Sequence, residues 1–314
     1  EYTNVLFSGS FVFIILVALN SLLQADGDTV TYRNILILNF FLNIILNPLF
    51  IYGFAFIPPL GIAGIGYATI AANIVGLIII LFKVSRSTRL VNLSTKYFLP
   101  NLNLLKKLFL QSAPISAALF LSSVGNFVIL MYIGFFGDYA TAGYGSAMRF
   151  EQILLLPVLG LNTAIISIVG QNFGAKKFFR VQKSYFTAVK YGFILMIMAG
   201  SIIFLSADII VGIFSENPSV INYGSSYLKI SALIFPAFPI FFISNGFFMA
   251  IKKSKNSLYL NLIRNVLLPM LTIFVANSID GGFQTFFWCY CFFNWVYVLF
   301  LFIYVKNYIK KISL

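Results

Sequence analysis

Apolar residues fill long stretches of this chain, and short polar stretches separate them. A helix rises 1.5 Å per residue, so about 20 apolar residues cross a hydrocarbon core about 30 Å thick. By that length the pattern predicts nine helical spans, at roughly 5–24, 34–57, 61–83, 105–136, 139–172, 183–206, 225–250, 256–277 and 281–305. The runs are too long for the strands of a membrane barrel, and they lack the alternation of apolar and polar residues that such strands need. The fold class is therefore an all-α polytopic membrane protein. Ala25, Gly27 and Asp28 mark a turn, and Gly61, Gly64 and Gly66 permit either close helix packing or a broken helix.

Composition agrees with the pattern. The chain is 60% hydrophobic and 9% charged, against roughly 25% charged residues in a soluble domain. No water-soluble fold of this length could cover so much apolar surface. A net charge of +13 would suggest a nucleic-acid partner in a soluble protein, but the placement of the bases points elsewhere. Arg33 lies between the first and second spans. Lys83, Arg86, Arg89, Lys96, Lys106 and Lys107 lie around the third connection, and Lys176, Lys177, Arg180, Lys183 and Lys190 follow the fifth span. Lys252, Lys253, Lys255 and Arg264 surround the connection after the seventh, and Lys306, Lys310 and Lys311 follow the ninth. Of all the bases, only Arg149 and Lys229 fall elsewhere. Bases on alternate connections mark the cytoplasmic side and its anionic headgroups, so the C-terminus is expected in the cytoplasm and no nucleic acid is expected as a partner. Nine spans then put Glu1 outside. A bacterial-type carrier begins inside with an even number of spans, so an odd number is expected to be missing from the front.

A repeat is visible in the punctuation. LLQADGDTVTYRNILILN (22–39) and FFMAIKKSKNSLYLNLIRN (247–265) each end one helix and start another across a polar loop. GIAGIGYATIAAN (61–73) and GGFQTFFWCYCFFN (281–294) each start the next helix on glycine, at an offset of about 220 residues in the same sense. The expected organisation is a partial N-terminal lobe of three helices (1–83), a cytoplasmic inter-lobe linker (84–104) and a C-terminal lobe of six helices (105–314). The two lobes are parallel repeats.

Ionisable residues at membrane depth are costly and by default functional. Arg149 and Glu151 fall inside the fifth span, and Glu151 is about 15–20 Å down the helix from Asp138. Residues two apart on a helix point about 200° apart, so the two do not bridge each other. Glu151 either binds protons, sodium or a substrate cation in a cavity, or holds neighbouring helices together. Pro157, with Gly160 close behind, should kink this helix, for packing or to line a cavity. Gln171 and Asn172 cap its end or form gate contacts, with Gly174 at the stop. In the fourth span Ser122 and Asn126 share a face and can bond a substrate or a neighbouring helix. In the second span Asn39, Asn43 and Asn47 form an amide row that must face the bundle or a wet cavity, because lipid offers amides no partner.

Cys289 and Cys291 are the only cysteines; they point to different faces and fit helix filler better than a disulfide or metal pair. The chain has no histidine. It also has no Walker loop, catalytic triad or metal cluster, so no enzymatic activity, ATP-driven step or resident cofactor is expected.

One further reading rests on likeness. GYGSAMRFEQILLLPVLGLNTAIISIVGQNFGAKKFFR (143–180) resembles the eighth helix of multidrug and toxic compound extrusion (MATE) transporters. YLKISALIFPAF (227–238) resembles their tenth helix, and LLQADGDTVTYRNILILNFFLNIILNPLFIYG with LGIAGIGYAT (22–69) resembles their fourth to sixth. The family's pattern has twelve helices in two six-helix lobes, so the resemblance implies a chain lacking the first three. It also implies a monomeric secondary antiporter in the plasma (inner) membrane, exporting organic, often cationic, compounds in exchange for protons or sodium through alternating access of the lobes. The implied substrate and ion path contains Glu151, Arg149, Ser122, Asn126, Asn43 and Asn47. Some branches of the family place an acid about two turns after the proline of the fourth span here, near the position of Ser122; that departure puts coupling at this point in doubt. A flippase of lipid-linked saccharides from the same superfamily, and an inactive transporter fragment or membrane scaffold, remain open as alternatives.

Overall fold

The computed structural model describes residues 2–25, 27–28, 30–54, 58–86 and 101–313. Arg89, Lys96 and most of the expected linker lie outside them. The described chain is helical throughout, and it divides into two compact units, residues 1–101 and 102–314.

The first unit contains α1 (Tyr2–Ser8), α2 (Ser10–Ala25), α3 (Val30–Tyr52) and α4 (Gly61–Ser85). The second contains α5 (Leu102–Gly134), α6 (Asp138–Gly174), α7 (Phe178–Gly212), α8 (Pro218–Ile234) and α9 (Ala237–Ala250). It continues with α10 (Ser254–Leu262), a π-helical turn (Ile263–Leu267), α11 (Leu268–Ser278) and α12 (Phe283–Ser313). Among the described residues seven helices are long and apolar enough to cross a membrane, and nine spans result if the bent pairs α1–α2 and α8–α9 each count as one. These match the nine spans expected from the hydrophobic pattern. The bends are 48° and 56°. Each unit therefore ends on the same order of elements, a bent pair followed by two long spans, which gives the repeat a structural form.

In the first unit α3 and α4 pack closely because α4 presents small residues. A Cβ added at Gly64 would come within 2.5 Å of the Phe50 carbonyl oxygen. Amides join the two helices: Asn39 Nδ2 donates to Asn73 Oδ1 (3.3 Å), and the Thr69 hydroxyl donates to Asn43 Oδ1 (3.4 Å). Asn39 and Asn43 thus face the bundle interior, as an amide in a membrane must. Asn47 is half-buried, and its Oδ1 has no partner among the described residues. Asp28 starts α3, accepting from both the backbone N–H (3.0 Å) and the hydroxyl (2.6 Å) of Thr31. Those two bonds, the hydroxyl's above all, hold its carboxyl below the usual range, with a smaller contribution from Lys83 at 3.9 Å.

The second unit has its core around α8 and α9, where Phe235, Phe241, Phe247 and Phe248 are all but inaccessible. Glycines again set the approach distances: Cβ atoms at Gly143 and Gly200 would meet the carbonyl oxygens of Val220 and Ala232 at 2.6 Å. The α8–α9 bend falls at Pro236, which lacks the N–H that would bond the Ala232 carbonyl. Trp295 Nε1 donates to the neighbouring Leu233 carbonyl (3.0 Å), supplying a partner at the break. The expected kink residues Pro157 and Gly160 lie within α6, which is helical from Asp138 to Gly174 without a break. Both are exposed, and the Thr163 hydroxyl donates to the Gly160 carbonyl (2.8 Å). Gly174 ends α6, but the left-handed residue that closes it is Lys176 (φ 57°). Asn172 bonds back to the Ile168 carbonyl (2.8 Å) rather than across to another helix. Cys289 and Cys291 are free thiols.

Candidate functional site

The second unit holds a partly open cavity of about 220 Å³. Its walls come from α5, α6, α8, α9, the α10–α11 segment and α12. Glu151 enters from α6, 13 residues and so about 20 Å along the helix from Asp138. Two hydroxyls on one face of α8, four residues apart, donate to the same carboxylate oxygen: Tyr227 Oη at 2.5 Å and Ser231 Oγ at 2.9 Å. The Tyr227 ring is held in turn by Tyr144 and Phe287, with centroids at 4.8 and 4.7 Å. The carboxylate is therefore oriented by a bonded and packed scaffold, which is what a binding group needs to keep its geometry between cycles.

Arg264 also lines the cavity. It sits in the π-helical turn, about 15 Å along the helix from Ser254, and is only 8% exposed. Its guanidinium lies over the rings of Phe241 (4.2 Å), Phe238 (4.9 Å) and Phe242 (5.5 Å). No hydrogen bond or ion pair joins it to a described residue, and Glu151 stays beyond ion-pair distance within the same cavity. The turn itself has a local cause. Pro269, at the start of α11, cannot donate to the carbonyl of Asn265 one turn earlier, and that freed carbonyl instead packs on Gly125 of α5. The extra residue of a π turn is a common device for aiming a functional side chain. Asn265 Nδ2 donates to Ser122 Oγ (2.7 Å) and to Asn261 Oδ1 (3.1 Å), tying this segment to α5.

The structure brings Glu151, Ser122 and Asn126 to one cavity, Asn126 from an exposed position. Ser122 meets a neighbouring helix, and at the same time it lines the cavity. Arg149 is exposed and lies outside the lining, on the other side of α6 as its spacing requires. Asn43 and Asn47 belong to the other unit. Arg264, Tyr227, Ser231, Asn261 and Asn265 are site residues that sequence reasoning missed. Arg264 corrects one assignment: it is not a headgroup anchor beside Lys252 and Lys253 but a buried cavity residue, ten positions into its span. That depth was available in the sequence as a signal. No group of three or more metal-ligating side chains occurs among the described residues.

A multi-span helical protein with repeated bundles and opposite charges lining an intramembrane cavity has the build of a membrane transporter. The family model named MatE matches residues 114–275, more than half of the chain, and the chain belongs to that family of multidrug efflux transporters. Curated relatives include the probable multidrug resistance protein YpnP of Bacillus subtilis, 27% identical over 84% of this chain and 57% of the relative. The FAD transporter of Shewanella oneidensis is 24% identical over 90% of this chain and 62% of the relative. The multidrug export protein MepA of Staphylococcus aureus is 22% identical over 90% and 61%. The chain thus spans about three fifths of the length of these relatives. Among solved structures, a MOP superfamily transporter from Pyrococcus furiosus superposes with a TM-score of 0.90 at 22% identity, over 100% of this chain and 70% of the other. An outward-facing MATE transporter gives 0.90 at 23% over the same shares. These likenesses establish the fold.

Proposed function

We propose that this chain works in a secondary active exporter that exchanges an organic compound for protons or sodium, acting as a monomer in the plasma membrane with its C-terminus in the cytoplasm. One observation carries the reading. Glu151 is an ionisable group at mid-span, held by two hydroxyls and facing a cavity rather than closed into an ion pair. A carboxylate so placed can release a proton or a sodium ion when a substrate cation arrives, which is the requirement for exchange. The relatives' names, multidrug export and resistance proteins and an FAD transporter, support an organic substrate. The cavity presents one guanidinium, whereas a lipid-linked phosphate would call for several; this favours the exporter over the flippase.

The test is transport in proteoliposomes that contain the chain, with an imposed pH or sodium gradient and ethidium as reporter. The wild type should move ethidium against the ion gradient, and Glu151→Gln should remove the dependence on that gradient. Gradient-driven transport that is equal in the two proteins would refute the role given to Glu151.

A further inference from the structure

We propose that the groove between α6 and α7 binds one anionic phospholipid, with the headgroup phosphate on Arg180 and Lys183 and an acyl chain along the apolar floor. The groove is open to the outside of the second unit and holds about 450 Å³. Its α6 wall runs from Leu161 to Asn172 and its α7 wall from Arg180 to Tyr191. Each wall therefore extends about 16 Å along its helix, about half of the roughly 30 Å thickness of a hydrocarbon core. That is the depth of a phospholipid in one leaflet. Only residues 175–177 separate the two helices, which pack against each other as a hairpin. Asn172, Arg180 and Lys183 therefore gather at the turn end, and Leu161, Ala164 and Ile165 line the groove away from it.

Arg180 and Lys183 are exposed, and no hydrogen bond or ion pair joins either side chain to a described residue. The groove lining contains no carboxylate. The turn adds Lys176 and Lys177, and the N-terminal end of α7 adds its dipole, so the potential at this end has one sign. It repels a cation and gives an uncharged compound nothing. A phosphate oxygen gains both the fork of a guanidinium and the point charge of an ammonium. The floor argues against a free anion, because Leu161, Ile165 and Ile168 offer it no partner, whereas acyl methylenes pack on such side chains. Arg and Lys can also lay their stems along that apolar surface and keep their charged heads at the headgroup level. Basic pockets between membrane helices at a cytoplasmic face suit anionic headgroups, and this is the end that its bases lead one to expect there. The inference is independent of the transport reading: it needs only that this end of the hairpin meets a bilayer surface.

Native mass spectrometry of the full chain in neutral detergent tests this. The lipids are dioleoylphosphatidylglycerol and dioleoylphosphatidylcholine, which share their acyl chains. Two bases at one headgroup predict a preference for the anionic lipid of roughly 25-fold in the first bound molecule. Arg180→Gln with Lys183→Gln should remove most of that preference. Lys306→Gln with Lys311→Gln takes the same charge from exposed positions near the end of α12 and should keep it. Ile168→Trp fills the groove at a position 44% exposed, leaves the bases in place, and should weaken both lipids. Glycerol 3-phosphate, which has the phosphate without the chains, should not displace the lipid at equal concentration. Equal binding of the two lipids to the wild type would overturn the proposal without any variant. Equal losses in the two double variants would overturn it in favour of diffuse surface charge, and displacement by glycerol 3-phosphate in favour of a site for a soluble anion. Unchanged lipid binding by Ile168→Trp would remove the groove from the account and overturn it as well.

Discussion

Gly125 sets the distance between α5 and the π-helical turn that aims Arg264, and Gly125→Ala tests that contact. A Cβ built there lies 1.8 Å from the Asn265 carbonyl oxygen and 2.7 Å from its carbon. Real Cβ atoms do not come closer than about 3.0 Å, so the two segments must part by about 1.2 Å. The Asn265–Ser122 hydrogen bond, now 2.7 Å, would stretch past the range in which an N–H···O bond holds. Losing that bond costs about 0.5–1.5 kcal/mol, and overpacking adds about 1–3 kcal/mol. Together these amount to roughly 2–4 kcal/mol, or a fall in melting temperature of roughly 5–15 °C by the scaling of domains of this size. Thermal unfolding of the detergent-solubilised protein, followed by tryptophan fluorescence, measures the effect. Gly160→Ala is the control. Nothing lies within 4 Å of a Cβ at that position, and alanine is the better helix former by about 1 kcal/mol, so this variant should melt no lower than the wild type. If Gly125→Ala melts with the wild type, α5 and the π turn do not touch as described, and the account of how Arg264 is aimed fails with them.

Other positions give sharper local tests. Thr31→Val removes the hydroxyl bond to Asp28 but not the backbone one, and should cost about 0.5–2 kcal/mol, as other helix-cap losses do. Because the Asp28 carboxyl is held below its ordinary 3.8, the contribution is full above that pH. It fades as pH falls through the lower folded value, so melting curves of wild type and variant should converge in acid. Tyr185→Phe leaves the fully buried Ser244 hydroxyl without its 2.8 Å partner and should lower stability by about 1–2 kcal/mol. Lys229→Met breaks the 2.8 Å bridge to Asp208, but 39% and 60% of those side chains are exposed, so its melting temperature should stay within what roughly 0.5 kcal/mol can move.

The spans were legible because the length of an apolar run and the thickness of hydrocarbon are tied by the helix rise, and little else competes with that term. The repeat was legible from turn residues and took shape in the two bent pairs. Glu151 could be singled out because a carboxylate at that depth is costly to bury. Arg264 was misread for a related reason. Counting bases near a loop ignores how far each lies along its own helix, and ten residues into α10–α11 is too deep for a headgroup contact. The break between α8 and α9 falls at Pro236. There the indole of Trp295, from α12, supplies a donor at the break, and such long-range compensation is invisible to a local reading. The Tyr227 and Ser231 bonds to Glu151 join residues 76 and 80 positions apart, so only the fold could reveal them.

The central claim is that Glu151 lies in a space that water reaches within the thickness of the membrane. Cysteine accessibility tests it most directly, using Glu151→Cys in a background where Cys289 and Cys291, the chain's only cysteines, are serine. In proteoliposomes a membrane-impermeant thiol reagent should label this cysteine. A folded variant that stays unlabelled while an Asp138→Cys control reacts would contradict the account.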